Sequence, residues 1–166
     1  MAAIDKSVYM ARGSVVIGDV TVEEGCGIWY NAVIRGDEDR IMIGKGTNVQ
    51  DNAVLHADTG HPLKIGAGVT IGHGAIVHGC TIGDNTLIGM GAIVLNDAVI
   101  GRDCIIGAGA LVTGGTIVPD GSVAFGNPAR VRKENSPEGI EANRKNARVY
   151  EELASRAKAG VPEDHL

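Results

Sequence analysis

The 166-residue chain has a formal net charge of −5 and is 44% hydrophobic, while aromatic residues make up only 3% of it. This acidic balance lacks the basic patch that nucleic acid binding requires, so we expect no nucleic acid partner. No apolar run reaches the roughly 18 residues of a membrane-spanning helix, and the N-terminus lacks the pattern of a signal peptide. We therefore expect a cytoplasmic protein without a membrane partner, built as one domain with an appendage.

The first 16 residues show little pattern, and we interpret them as a segment that covers one end of a repetitive structure. A spaced series of aliphatic residues then begins with Ile17, Val22 and Ile28. These positions are the earliest members of a repeat that becomes regular further along the chain. They predict the first coil of a solenoid.

A dense group of charges interrupts this series between positions 34 and 43, and it includes Arg35, Asp37 and Glu38. We predict a charged loop here, and a second loop between positions 55 and 65, each inserted into an otherwise unbroken coil. Two roles are open for Arg35 and Asp37. They could act directly in a site, or they could form an ion pair between subunits, a role for which arginine is well suited.

The stretch from Ile65 to Ala124 is a hexapeptide repeat, in which an aliphatic residue, here called the leader, opens each block and is usually followed by glycine. Such a period predicts short strands joined by tight corners and coiled into a parallel β-helix. A triangular coil would take about 18 residues, with coils about 4.8 Å apart. The leaders are Ile65, Ile71, Val77, Ile82, Ile88, Val94, Ile100, Ile106, Val112 and Val118.

The pattern changes to a helical period after the motif FGNPAR, which predicts a closing turn. The sequence Ser-Pro-Glu from Ser136 is a typical helix start, with a capping hydroxyl followed by proline. We predict an α-helix of about 20 residues that packs its apolar stripe on the solenoid. The predicted division is a β-helix domain over 1–131 and a helix with a solvated tail, including His165, over 132–166. The stripe comprises Ile140, Ala147, Tyr150, Ala154 and Ala157.

Counting leaders places several polar residues in space. Leaders three blocks apart share a face, so Arg35, His56 and His78 form one outward column with a spacing of about 4.8 Å. Two stacked imidazoles can bind one ion, whereas His73 falls on the neighbouring face of the same coil. We therefore predict that His73 comes from a second subunit and that Gln50 reaches the same groove. A three-sided prism closes as a homotrimer, and three protein ligands leave an open position, as in catalytic ions.

The three cysteines are Cys26, Cys80 and Cys104, an odd number without CxxC spacing. We interpret them as small buried thiols. A redox or ligand role for Cys80, close to His78, is the alternative.

Four further motifs stand at specific places in the chain: RGDE at 35–38, NVQDN at 48–52 with a histidine six residues after its glutamine, IGHGAIVHGCTIGDNTLIGMGAIV at 71–94, and FGNPARV at 125–131. In these motifs, and over nearly its whole length, the chain resembles the gamma-class carbonic anhydrase family. This resemblance implies a left-handed coil and a homotrimer, which are expectations about the fold and assembly.

The family resemblance also implies a divalent metal bound by His56 and His78 of one subunit and His73 of another. Zn²⁺ suits three imidazoles best, and Fe²⁺ or Co²⁺ would also accept them. The implied activity is reversible hydration of CO2 to bicarbonate by metal-bound hydroxide. Gln50 would then orient that hydroxide.

Four further residues receive roles from the same resemblance. Arg35 and Asp37 would organise the interface and the site, and Glu38 would be a polar group near the metal. Tyr150, on the terminal helix, resembles a family tyrosine near the site.

Two other classes of function stay open. Hexapeptide proteins also resemble acyltransferases, so an acyl-CoA thioesterase or a related acyl-CoA enzyme is one alternative. Acyltransferases usually carry a base histidine without a cluster of three, which argues against that class. The other alternative is a non-catalytic trimeric scaffold clamped by its metal ion.

Overall fold

The computed structural model describes residues 1–162, which form a three-sided β-helix followed by one α-helix, α1 (Pro137–Lys158). The predicted fold class, an all-β left-handed parallel β-helix of hexapeptide repeats with a C-terminal α-helix, is confirmed. The strands, in chain order, are β1 (Ala3–Ile4), β2 (Tyr9–Met10), β3 (Val15–Val22), β4 (Gly27–Ile28), β5 (Val33–Ile43), β6 (Asn48–Val49), β7 (Val54–His56), β8 (Leu63–Ile65), β9 (Thr70–Ile71), β10 (Ile76–His78), β11 (Thr81–Ile82), β12 (Leu87–Ile88), β13 (Ile93–Val94), β14 (Val99–Ile100), β15 (Ile105–Ile106), β16 (Leu111–Val112), β17 (Ile117–Val118), β18 (Ser122–Gly126) and β19 (Ala129–Glu134).

The strands stack into three faces. Face 1 contains β7, β10, β13 and β16 together with the first halves of β3 and β5. Face 2 contains β1, β8, β11, β14 and β17 with the second halves of β3 and β5. Face 3 runs from β2 through β4, β6, β9, β12 and β15 to β18, which pairs antiparallel with β19.

The leaders fill the axis of the prism, as the repeat predicts. On face 1, Leu55, Val77 and Val94 stack directly above one another, and each is fully buried. The core cluster consists of aliphatic side chains, alanines and cysteines, since the narrow axis has no room for rings. Burying one such aliphatic side chain stabilises a fold by about 1.5–3 kcal/mol.

The prediction that Ile17 is a leader is wrong. Ile17 is 47% exposed and pairs with Arg35 on the outside of face 1, while Val16 pairs with the leader Ile34. The reason is that β3 is one continuous strand across the corner, so its side chains alternate in and out with a period of two. Val20 therefore takes an inward position on face 2.

The predicted charged loop between 34 and 43 is also wrong as a loop. Strand β5 runs unbroken through it from face 1 to face 2 and pairs with β3 on both sides of the corner. Only residues 37–40 bulge outward, opposite Asp19. The loop between 55 and 65 is present, because β7 ends at His56 and β8 begins at Leu63.

The N-terminal segment does more than cover the solenoid, since β1 and β2 pair in parallel with β3 and β4 and so begin a coil of their own. At the other end, the predicted helix start is confirmed, because Ser136 Oγ accepts a hydrogen bond from the Gly139 amide at 3.1 Å. Helix α1 lies against face 3 and contacts β2, β4, β6 and β9. Its stripe also buries a polar residue, Asn143, whose Nδ2 donates to the Cys104 carbonyl at 3.1 Å.

The division at residue 131 stays a prediction, and the tail around His165 lies outside the described residues. Within residues 1–162, no helix is long and apolar enough to cross a membrane. Cys26, Cys80 and Cys104 are free and buried, as predicted. Burial raises the pKa of the Cys80 thiol to about 12, so it stays protonated and unreactive at neutral pH.

Candidate metal centre

Two histidines meet on face 1. The parallel pairing of β5, β7 and β10 puts Arg35, His56 and His78 in register, which is the predicted column. Nδ1 of His56 lies 2.8 Å from Nε2 of His78, with ring centroids 4.9 Å apart. The His56 side chain is 9% exposed and the His78 side chain 24%, so the pair sits at the surface of the face but is largely covered.

The outer nitrogens of both rings face acceptors. Nε2 of His56 lies 3.1 Å from Oδ1 of Asp37, and Nδ1 of His78 lies 2.6 Å from Oδ1 of Asn96. In the neutral rings each outer nitrogen therefore carries the proton, and the two inner nitrogens present lone pairs to each other. Facing lone pairs at this distance need a cation or a proton between them. Because metal-binding histidines typically donate their other N–H to such acceptors, this donor set fits a metal ion.

A carboxylate approaches the same point. Oδ1 of Asp58 lies 3.7 Å from Nε2 of His78 and 3.9 Å from Nδ1 of His56. The hydrogen bond from Asn96 is the main reason why the pKa of Asp58 lies below its ordinary value, so the group is charged at neutral pH. The sequence reasoning considered Asp58 only as a weak candidate for proton transfer and did not place it beside the two imidazoles, although its position two residues after His56 was a usable signal.

Arg35 and Asp37 form an ion pair at 2.5 Å beside this cluster. Desolvation raises the pKa of Asp37, but hydrogen bonds from Arg35 and His56 outweigh it, so the net shift is downward. Asp37 is therefore a carboxylate that can hold the His56 ring in place. Glu38 is exposed next to it on β5.

His73 lies elsewhere, just after β9 on face 3. Its Nδ1 is 2.9 Å from Oδ2 of Asp51, and its backbone N–H donates to Oε1 of Gln50 at 3.2 Å. The group of possible ligand atoms within 4.8 Å of one another contains His56, Asp58 and His78, without His73. One chain therefore does not bring the three predicted histidine ligands together.

A cavity of about 360 Å³ lies between face 3 and α1, with His73 among its lining residues. Gln50 and Tyr150 also line it, so these two predicted site residues are together, apart from the pair on face 1. Burial, followed by the charge of Asp51, raises the pKa of Tyr150. Asn146, which the sequence reasoning missed, lines the cavity too. The missed signal was its position one helical turn before Tyr150.

His61, on the loop after β7, forms a separate pair, with Nδ1 2.7 Å from Oδ1 of Asp97. The hydrogen bond with Asp97 and then its charge raise the pKa of His61 above its ordinary value of 6.5. Because the folded pKa is the higher one, the pair stabilises the fold fully below the unfolded pKa, and this contribution is lost as the pH rises through the folded pKa.

We expect Asp97→Asn to lower the melting temperature at about pH 5 and to have less effect at about pH 9, since His61 is then neutral in both proteins. Thermal melts of both proteins across this range measure the difference, and an NMR titration of His61 gives its pKa. If the melting temperature falls equally at both ends of this pH range, the stabilisation does not come from protonated His61 beside Asp97.

Comparison with known proteins places the repeat and the whole chain among proteins with known names. A family model for the bacterial transferase hexapeptide (six repeats) matches residues 62–94 and 79–114. The chain is 50% identical to the "Probable carbonic anhydrase" of Methanocaldococcus jannaschii, covering 91% of this chain and 95% of that protein. It is 41% identical to a carbonic anhydrase of Geobacillus kaustophilus, covering 94% of this chain and 86% of that protein.

The mitochondrial gamma carbonic anhydrase 1 of Arabidopsis thaliana is 43% identical, but the aligned part spans 91% of this chain and only 57% of the plant protein. Among solved structures, a hexapeptide transferase family protein of Anaplasma phagocytophilum has a TM-score of 0.89 at 40% identity, covering 92% of this chain and 90% of that one. A Bacillus cereus protein provisionally described as an acetyltransferase has a TM-score of 0.94 at 40% identity, covering 95% and 92%.

Fold and repeat together define a hexapeptide-repeat β-helix protein with a histidine cluster on one face. With 50% identity over nearly the full length of an archaeal carbonic anhydrase relative and 43% identity to the plant gamma carbonic anhydrase 1, the chain belongs to the gamma-class carbonic anhydrase family.

Proposed function

We propose that the protein is a metal-dependent carbonic anhydrase that converts CO2 and water reversibly into bicarbonate. The observation that carries this proposal is the pair of imidazole lone pairs of His56 and His78, which face each other while both outer nitrogens donate to acceptors. The relatives that bear carbonic anhydrase names support it. The cytoplasmic location predicted from the sequence belongs to the same proposal.

The ligands would be Nδ1 of His56, Nε2 of His78 and His73 of a neighbouring subunit. Nδ1 of His73 is engaged by Asp51, so its Nε2, which has no partner among residues 1–162, is the nitrogen that would bind the ion. Zn²⁺ suits such a set best, with Fe²⁺ or Co²⁺ as further candidates. When bound, an ion of this kind supplies hydroxide at neutral pH by lowering the pKa of its water from about 15.7 to about 7.

The assembly that joins the two halves is a homotrimer. One chain carries the His56–His78 pair on face 1 and His73 at face 3, so a contact between these two different surfaces completes a site. Such a contact is heterologous and can close into a ring. Three-sided subunits would give three sites in a ring of three.

An exposed apolar column supports face 1 as the surface that a second copy covers. The column runs beside the histidines, and both Val54 and Ile76 in it are 38% exposed. Contiguous exposed apolar residues of this kind typically mark a protein interface. The members, paired in register, are Val15, Val33, Val54, Ile76, Ile93 and Leu111.

The roles of the remaining residues follow from their contacts. Asp37 holds the His56 ring, and Arg35 keeps Asp37 charged. Gln50 is 5% exposed and is fixed through Nε2 by Oδ1 of Asn48 at 3.1 Å, so its carboxamide is held in one orientation and would position a hydroxide that a bound ion supplies. Tyr150 lines the same cavity, while Glu38 would add an exposed polar group next to Asp37 on face 1.

Stopped-flow CO2 hydration tests the function directly. The protein is purified anaerobically, analysed for metal, stripped with a chelator and reloaded with Zn²⁺, Fe²⁺ or Co²⁺. We expect stoichiometric metal in the untreated protein and hydration that disappears on stripping and returns on reloading. Full metal occupancy without hydration under any loading contradicts the proposal.

A thioesterase is the second candidate, because the cavity of about 360 Å³ beside His73 is far larger than CO2 needs and is lined mostly by apolar residues. The same loaded protein is therefore assayed with acyl-CoA substrates. Thioester hydrolysis in the absence of CO2 hydration favours this alternative.

A further inference from the structure

We infer that Asn96 is a positioning residue of the metal centre, because one carboxamide fixes both the His78 ring and the Asp58 carboxylate. The inference rests on the proposed function, since it concerns the same pair of histidines. It adds a residue from a third coil, beyond those that carry His56 and His78.

Both ends of the Asn96 side chain are engaged. Oδ1 lies 2.6 Å from Nδ1 of His78, and Nδ2 donates to Oδ2 of Asp58 at 2.9 Å. Rotating the amide by half a turn would place its oxygen against the Asp58 carboxylate, where two acceptors repel each other. The negative charge of Asp58 therefore sets the orientation of Asn96.

This orientation in turn decides where the proton of His78 resides. With the amide oxygen facing it, Nδ1 of His78 must donate, so Nε2 keeps a lone pair directed at Nδ1 of His56. The other oxygen of Asp58, Oδ1, is held 3.7 Å from the same Nε2. Asn96 thus prepares His78 to bind a cation before any cation arrives.

The backbone around Asn96 leaves space for its side chain and is held in place by hydrogen bonds between coils. A Cβ on Gly79 would lie 2.5 Å from Oδ1 of Asn96, so the absence of a side chain at Gly79 makes room for the amide. Gly79 itself is tied to both neighbouring coils, because its N–H donates to the His56 carbonyl at 3.0 Å and its carbonyl accepts from the Asp97 amide at 2.8 Å. The carbonyl of Asn96 accepts from the Gly115 amide at 3.0 Å.

The test uses two substitutions of Asn96 and one control. Asn96→Leu keeps the branched shape of the side chain and removes both hydrogen bonds, whereas Asn96→Asp keeps an acceptor for His78 and loses the donor to Asp58. The matched control is Thr113→Val, which removes a hydrogen bond between Thr113 and Thr116 one coil further on. The first readout is the pair of ¹⁵N chemical shifts of the His78 ring in metal-free protein. The second is the Zn²⁺ dissociation constant from competition with a chromogenic chelator.

We expect His78 to be protonated at Nδ1 in the wild-type protein, in Thr113→Val and in Asn96→Asp. In Asn96→Leu we expect a mixture of tautomers and a Zn²⁺ dissociation constant raised by about 10–100-fold, the usual cost of losing a hydrogen-bond partner of a metal-binding histidine. If the leucine variant does not fold, Asn96→Ser replaces it with the same expectation.

The inference is overturned if the ¹⁵N chemical shifts of the His78 ring are the same in Asn96→Leu as in the wild type and the Zn²⁺ dissociation constant stays within about twofold. Its failure is distinct from that of the proposed function. The tautomer is measured without metal or substrate, so it reports on Asn96 even if no CO2 hydration is found.

Discussion

His73→Ala is expected to lower metal-dependent CO2 hydration by at least about 10³-fold, since typical enzymatic accelerations exceed about 10⁶-fold and the variant lacks one of three metal ligands. The fold should survive. His73 is 43% exposed at its side chain, and its imidazole contacts a single carboxylate, that of Asp51, within the described part of its own chain. Stopped-flow assays with metal analysis measure the loss of hydration, and sedimentation tests whether the proposed trimer is retained.

The matched control is His61→Ala, because His61 is also a partly exposed histidine paired with an aspartate, here Asp97. It lies outside the group formed by His56, Asp58 and His78, so its hydration rate should stay within about twofold of the wild type. Full hydration by His73→Ala would show that one chain suffices for the site. Dissociation of the trimer in this variant would favour the scaffold alternative, in which the ion only clamps subunits together.

The repeat made much of this architecture predictable from the sequence. A six-residue period with buried leaders fixes which residues share a face, and counting blocks was enough to align Arg35, His56 and His78 in one column. The same counting put His73 on a different face. These predictions succeed because each coil repeats the geometry of the previous one, so a position in the sequence maps directly onto a position in space.

Counting failed where a strand continues around a corner. The interval between Ile34 and Ile43 is longer than six residues, which is the expected sign of an inserted loop. The chain instead keeps its ladder with β3 and pushes the extra residues outward as a bulge. Spacing alone does not distinguish the two, because the distinction depends on the pairing of backbone groups with another coil.

Two polar residues that the sequence reasoning missed act through another coil. Asp51 engages His73, and Asn96 joins His78 to Asp58, at sequence separations of 22, 18 and 38 residues. Such pairs depend on rotamers and on the direction of single hydrogen bonds, neither of which follows from a period. With Asp37 on His56, each of the three histidines has an acceptor for its second nitrogen.

A common principle links these acceptors to the proposed assembly. In the proposed assembly, each half of the site is preorganised within its own subunit, His56 and His78 on face 1 and His73 on face 3. Formation of a trimer would therefore bring together two surfaces whose side chains are already ordered. This keeps the conformational entropy lost on association low. We therefore propose that the metal site is shared between two subunits.

Complementation between inactive variants tests that claim most directly. His73→Ala retains His56 and His78, and His78→Ala retains His73, so a mixed trimer can regain an intact site at an interface where the two meet in the correct order. In equal mixtures that exchange subunits at random, about a quarter of the interfaces are intact, so we expect about a quarter of the wild-type hydration rate per site. The gain is large because each variant alone is expected to be nearly inactive.

In the control, the double variant His73→Ala/His78→Ala is mixed with His73→Ala. Neither protein has His73, so no interface holds an intact site, and the mixture should stay inactive. Differential tags and native mass spectrometry establish that mixed trimers form. Recovery of hydration in the first mixture alone is the result that a shared site predicts. Mixed trimers of His73→Ala and His78→Ala that form fully and remain inactive would contradict it.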